Sequence, residues 1–113
     1  MKKKSYTQSQ LIEIRSFVNR LISLAEENDN RKLPRCFDFC KTICKNITIC
    51  EANGFTDADV LSDYITEDWN HAMELHCGLP EYYFENTDRD RQMELNDELS
   101  KLLAAICKKI ETD

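Results

Sequence analysis

Six cysteines and two histidines are the residues in this chain with the most chemistry to offer. Cys36, Cys40 and Cys44 recur at every fourth position, and Cys50, Cys77 and Cys107 follow at wider intervals. An even count invites a disulfide framework. The spacing opposes one, because three thiols on a single helical face would have to find partners among three scattered ones. Zinc is the second option, with Cys36, Cys40 and the His76-Cys77 pair as ligands, but the paired Cys-x-x-Cys knuckle is missing. His71 and His76 lack the i, i+4 spacing of a metal-binding helix. Cys77 with a distant histidine could form a nucleophilic pair in principle, but a buried thiol and a surface imidazole are the simpler assignment. Carboxylates abound without any two being set apart for acid–base work. These residues therefore predict reduced thiols packed as small hydrophobes, no metal or other cofactor, and no catalytic site.

The elements that must position them are helices. Two glycines and two prolines in 113 residues leave little turn chemistry for a many-stranded fold. Thr7 and Gln10 form a capping-box pattern opening a helix to about Asn28, with Leu11, Ile14, Phe17, Val18, Leu21, Leu24 and Ala25 on one face. Asn28 to Lys32 is a polar return loop. Pro34 suits a first helical position, and Asn53-Gly54 suits a helix end in the left-handed conformation. Between them Cys36, Phe39, Cys40, Ile43, Cys44, Ile47 and Cys50 share one arc, with Phe37 at its edge. So wide an apolar arc requires other helices to cover it.

A third helix is predicted from Thr56, as its cap, to about Cys77, with a kink or break near Ile65 where Thr66-Glu67-Asp68 could cap a fresh turn. Leu61, Tyr64, Ile65, Trp69, Ala72, Met73 and Leu75 form its apolar face. Asp59, Asp63, Glu67 and Glu74 lie on its outer side within about 80° of one another, an acidic ridge. Glu81 to Asn86 is a short aromatic connection, and Thr87 with Asp90 is a capping pattern for a last helix to about Glu111. Leu95, Leu99, Leu102, Leu103, Ile106, Cys107 and Ile110 pack its second half. The expected fold is all-α, one domain over 1–113, an antiparallel bundle of four main helices or five if the third breaks, with residues 1–6 disordered.

Charge divides the chain. Residues 51–99 carry fourteen Asp or Glu against Arg89 and Arg91, whereas residues 1–50 carry ten Lys or Arg against five acids. Phosphate binding needs a basic surface, so nucleic acid is excluded as the expected partner, and a basic protein is favoured. The alternative is that the acids form a solvated face that keeps a small domain soluble. Three consecutive aromatics, Tyr82, Tyr83 and Phe84, are hard to bury together, so at least one should be exposed, and tyrosine is a favoured interface anchor. The partner-binding candidates are Asp59, Asp63, Glu67, Glu74, Tyr82 and Tyr83, with the neighbouring Glu85 and Asp88. No apolar run is long enough to span a bilayer and no signal-peptide core follows Met1 to Lys4, so a cytoplasmic monomer is expected. The Asn46-Ile47-Thr48 sequon is discounted on the same ground.

With these residues in view, the chain resembles a bacterial immunity protein, the small acidic helical inhibitor that protects a toxin producer. The nearest pattern is that of the colicin-DNase immunity family, four-helix domains with acids on the second helix and a Tyr-Tyr pair on a short third one. Thr56-Asp57 opening an acidic helix, Tyr82-Tyr83 after Gly78, and Asp88-Arg89-Asp90 before the last helix carry the likeness, over about residues 56–103. It implies a toxin-binding face containing Asp63, Glu67, Tyr82 and Tyr83. That family has no counterpart of the Cys-bearing helix, and Pro follows its tyrosine pair where this chain has Phe84. The chain is also similar in size and charge to contact-dependent-inhibition immunity proteins and to phage-encoded inhibitors of defence nucleases. A small helical subunit of a larger assembly and a thiol or metal enzyme remain the alternatives from other classes.

Overall fold

In the computed structural model, residues 5–74 and 78–110 are described. Thr7 opens the first helix as its chemistry requires. Its hydroxyl accepts from the Gln10 amide at 3.2 Å, and Gln10 Oε1 accepts from the Thr7 amide at 2.8 Å. Two N–H groups that no helical turn can satisfy are thereby paired. Helix α1 then runs Gln8–Asn28 and buries Leu11, Ile14, Val18, Leu21, Ile22, Leu24 and Ala25.

Helix α2 spans Cys36–Ala52. Pro34 stands just outside it, its carbonyl accepting from the Phe37 amide at 3.0 Å. The apolar arc is rotated slightly from expectation. Phe37 is fully buried, meeting Tyr82 edge-on at 4.9 Å, while Phe39 is half-buried and stacks on His71 at 5.2 Å. Gly54, at φ +68°, ends α2. Its amide bonds to the Glu51 carbonyl, and Phe55 N–H reaches back to the Cys50 carbonyl at 2.8 Å, so the last free carbonyls find donors.

Helix α3 spans Ala58–Ala72 and differs from expectation at three points. Thr56 is not its cap, because the Thr56 hydroxyl turns back to donate to the Asn53 carbonyl at 3.3 Å. There is no break at Ile65. The Thr66 hydroxyl donates to the Ser62 carbonyl one turn back at 3.1 Å, which keeps it inside the helix instead of capping a new one. The helix also stops at Ala72, short of Cys77. Gly78 folds so closely against that end that an added Cβ would lie 2.1 Å from the Glu74 carbonyl oxygen, a fit open to glycine alone.

A 3₁₀ turn, Leu79–Glu81, leads through an extended connection into α4, Arg89–Ile110. Asp88, not Thr87, caps α4, its Oδ1 accepting from the Asp90 and Arg91 amides at 3.0 and 3.2 Å. The buried face of α4 is Leu95, Leu99, Leu102, Ile106 and Ile110, with Leu103 and Cys107 half-buried against the core.

The chain is an all-α single domain, 76% helical, with four helices and no strand among the described residues. Cross-links set the directions. Arg15 pairs with Glu51 and Lys41 with Glu26, so α1 and α2 are antiparallel. Arg20 pairs with Glu98 and Lys109 with Glu13, so α1 and α4 are antiparallel as well. Helix α2 packs most extensively on α3, and a lesser contact between α3 and α4 closes the ring. Residues 5 and 6 do not share the disorder expected of the start. Tyr6 is buried between α3 and α4, donating its hydroxyl to the Ile110 carbonyl at 2.7 Å and its amide to Ser62 Oγ at 3.0 Å. Residues 1–4, Leu75, His76 and Cys77 lie outside the described residues.

Candidate functional site

The thiols come first, because their chemistry depends on burial. Cys36, Cys40, Cys44 and Cys50 of α2 are buried and Cys107 is half-buried, and none of the five is in a disulfide. Desolvation disfavours the thiolate, pushing Cys40 strongly up and Cys44 up to about 11. So little thiolate near neutral pH leaves Cys40 and Cys44 as packing atoms. Among the described residues no cluster of three or more His, Cys, Asp or Glu is placed to hold a metal ion. His76 and Cys77, two of the four candidate zinc ligands, lie outside the described residues.

The acidic ridge is positioned by the register of α3. Leu61, Ile65, Trp69 and Ala72 define the buried stripe, which turns Asp59, Asp63 and Glu67 outward to solvent. The Ser5 hydroxyl donates to Asp59 Oδ1. Glu74 has left the helix axis by the time the chain reaches it. It remains exposed and bonds His71 Nδ1 at 3.1 Å, and Glu67 lies 3.9 Å from the other ring nitrogen. His71 therefore sits between two acids at the far end of the ridge. From residue 51 to residue 88 the chain carries ten Asp or Glu and no Lys or Arg.

The tyrosine pair separates into two roles. Tyr82 is half-buried between Phe37 and Phe84, and its hydroxyl donates to Asp29 Oδ2 at 2.6 Å. Burial and that bond push its hydroxyl pKa far up. Tyr82 is thus committed to the bundle and is not an open anchor. Tyr83 is 53% exposed, with its hydroxyl on Glu85 Oε1 at 3.0 Å, and Phe84 is fully buried. One exposed aromatic of three is the outcome that the run of aromatics required. Asp88 is spent on capping α4. Tyr83 borders a cleft that also contains Arg31, Lys32 and Pro34, so its surroundings are of mixed sign. The eight candidates therefore do not form one patch. Asp59, Asp63 and Glu67 line α3 with Glu74 just past its end, and Tyr82, Tyr83, Glu85 and Asp88 belong to the connection before α4.

Three arrangements escaped the sequence. Asp29 gathers Arg31 and Tyr82, and the Arg31 hydrogen bond holds its carboxyl at about 2, against desolvation. The local Asp29-Asn30-Arg31 spacing was a usable signal for half of that. Asn96 brackets Phe84, accepting from its amide at 2.7 Å and donating to its carbonyl at 3.1 Å. Nothing in sequence marks Asn96 for this. Tyr64, expected in the apolar face of α3, is 56% exposed and joins Val60 and Ile49 around an open groove between α2 and α3. Stepping 100° per residue from the Leu61–Ile65–Trp69 stripe would have placed Tyr64 at its margin.

The fold and surface define an all-α domain with an acidic, partly apolar outer helix. Neither the families of known proteins, nor curated proteins, nor solved structures match this chain.

Proposed function

We propose that this protein is a non-catalytic binder that neutralises a basic protein, most readily a nuclease-type toxin, acting in the cytoplasm as an immunity protein does. The observation that carries the reading is the outer face of α3. Asp59, Asp63 and Glu67 are exposed there on one helix, within a segment that has no lysine or arginine from 51 to 88. Such a surface attracts a cationic protein and repels nucleic acid and anionic lipid. A nuclease must present a cationic face to its own substrate, and an acidic helix laid across that face would occlude it. Tyr83, the exposed member of the aromatic run, supplies a second contact at the end of the bundle.

The test is surface plasmon resonance against a basic nuclease-type toxin domain, at two ionic strengths. Reversing Asp63 and Glu67 to lysine should slow association and flatten its salt dependence, because exposed charges act mainly on encounter. Tyr83→Ala should shorten the residence time, at a cost of about 2 kcal/mol if the ring is a hot spot. Circular dichroism checks that the variants are folded. Folded variants that bind like the parent would overturn the reading.

A further inference from the structure

We propose that the groove between the end of α2 and the start of α3 seats apolar side chains from an amphipathic, lysine- or arginine-rich helix of the partner protein. This deepens the reading above and rests on it for the sign of the partner's charge. Ile49, Val60 and Tyr64 are 49%, 53% and 56% exposed, and all three line one groove whose floor is Leu61 and Cys50. Single exposed hydrophobics are ordinary, as Ile12, Tyr83 and Met93 are elsewhere on the molecule. Three on the facing edges of two helices form a surface. The groove holds about 350 Å³ and is open along its length, a size for side chains and not for an enclosed cofactor.

Charge selects the occupant. Asp57 is in the lining, and Asp63 and Glu67 follow Val60 and Tyr64 around the outside of α3. Lys45, one turn before Ile49 on α2, is exposed and outside the lining. A helix with an apolar stripe in the groove would therefore turn its polar flank onto the carboxylates of α3, which calls for cations there. Helix-in-groove docking has this form, with anchors at i, i+3 or i+4 and i+7. A second copy of the chain is the poorer occupant. A two-fold contact across this groove would set the acids of α3 against themselves.

The probe is a synthetic helical peptide of about 18 residues, five turns, with leucines on one face and lysines on the other. Two controls replace its leucines with glutamine or its lysines with glutamate. Amide shifts of the full chain are followed by ¹⁵N-resolved NMR. The Lys–Leu peptide should give saturable shifts at Ile49, Asn53, Val60, Leu61 and Tyr64. The glutamine control should lose them. Val60→Ser with Tyr64→Ala, both at exposed positions, should weaken binding about tenfold with an unchanged thermal melt. The inference is overturned if that double variant binds like the parent, or if the shifts fall outside the groove. It also falls if sedimentation shows the groove closed by self-association. If both lysine peptides shift only the amides of Asp59, Asp63 and Glu67, the groove inference fails and the basic-partner reading stands. If the glutamate peptide fills the groove as tightly as the lysine one, the charge argument behind both fails.

Discussion

Asp29 accepts four hydrogen bonds, three from Arg31 and one from the Tyr82 hydroxyl, with its side chain only 4% exposed. Those donors stabilise the carboxylate over the acid, which is why its pKa sits at about 2. The unfolded chain would titrate this group near 3.9. A depressed folded pKa means stability that is fully present above the unfolded value and lost as pH falls from about 4 toward 2. Asp29→Asn should therefore lower stability at pH 7 by about 1–2 kcal/mol, discounted because Arg31 is largely in solvent. Its acid-side decline should also be shallower than the parent's over that window. The fluorescence of Trp69, the one tryptophan and fully buried, reports urea unfolding at each pH. Parallel pH profiles would show that Asp29 is not the linked group.

The connection between the 3₁₀ turn and α4 has no regular hydrogen-bond ladder of its own, so its backbone groups need outside partners. Asn96 supplies two of them, closing on the amide and the carbonyl of Phe84, while Gln92 Oε1 accepts from the Asn86 amide at 3.0 Å. This pins the Phe84 ring in the core and leaves Tyr83, next to it, facing out. Asn96→Ala should orphan both Phe84 groups, costing about 2–3 kcal/mol, although alanine is the better helix former in α4. Hydrogen exchange at the Phe84 amide should rise far more than exchange in the middle of α1 or α2. Equal protection in the variant would mean that the aromatic packing alone holds the connection.

Ile43 of α2 is fully buried in a ring of helices that leaves no route to water. A carboxylate there would be unpaired in a dry core, so Ile43→Asp should abolish cooperative unfolding and red-shift Trp69 emission under native conditions. A variant with native stability would refute the central placement of α2. The same ring separates the charges. The acids Asp59, Asp63 and Glu67 of α3 face outward, while Arg15 and Arg20 of the basic half are drawn into cross-links with Glu51 and Glu98. Those pairs spend part of the N-terminal positive charge within the bundle, and on α3 His71 is paired with Glu67 and Glu74.

Helix number, the Thr7 cap, the Gly54 stop and most of the core were legible in the chain because each rests on near neighbours. Capping, glycine's left-handed freedom and a 3.6-residue period all act within a turn or two. The outward acids of α3 were legible for the same reason. What needed the assembled bundle was every choice between two locally equal options. Phe37 and Phe39 flank one arc, and Tyr82 and His71 decide which is buried. Tyr64 stands at the edge of its stripe, and the groove it shares with Asn46 and Ile49 of α2 leaves it exposed. Tyr82 and Tyr83 are chemically the same residue, and Asp29, more than fifty positions away, takes one and leaves the other to solvent. Long-range packing selects among such options, because the energies that separate them come from partners that meet only in the folded chain.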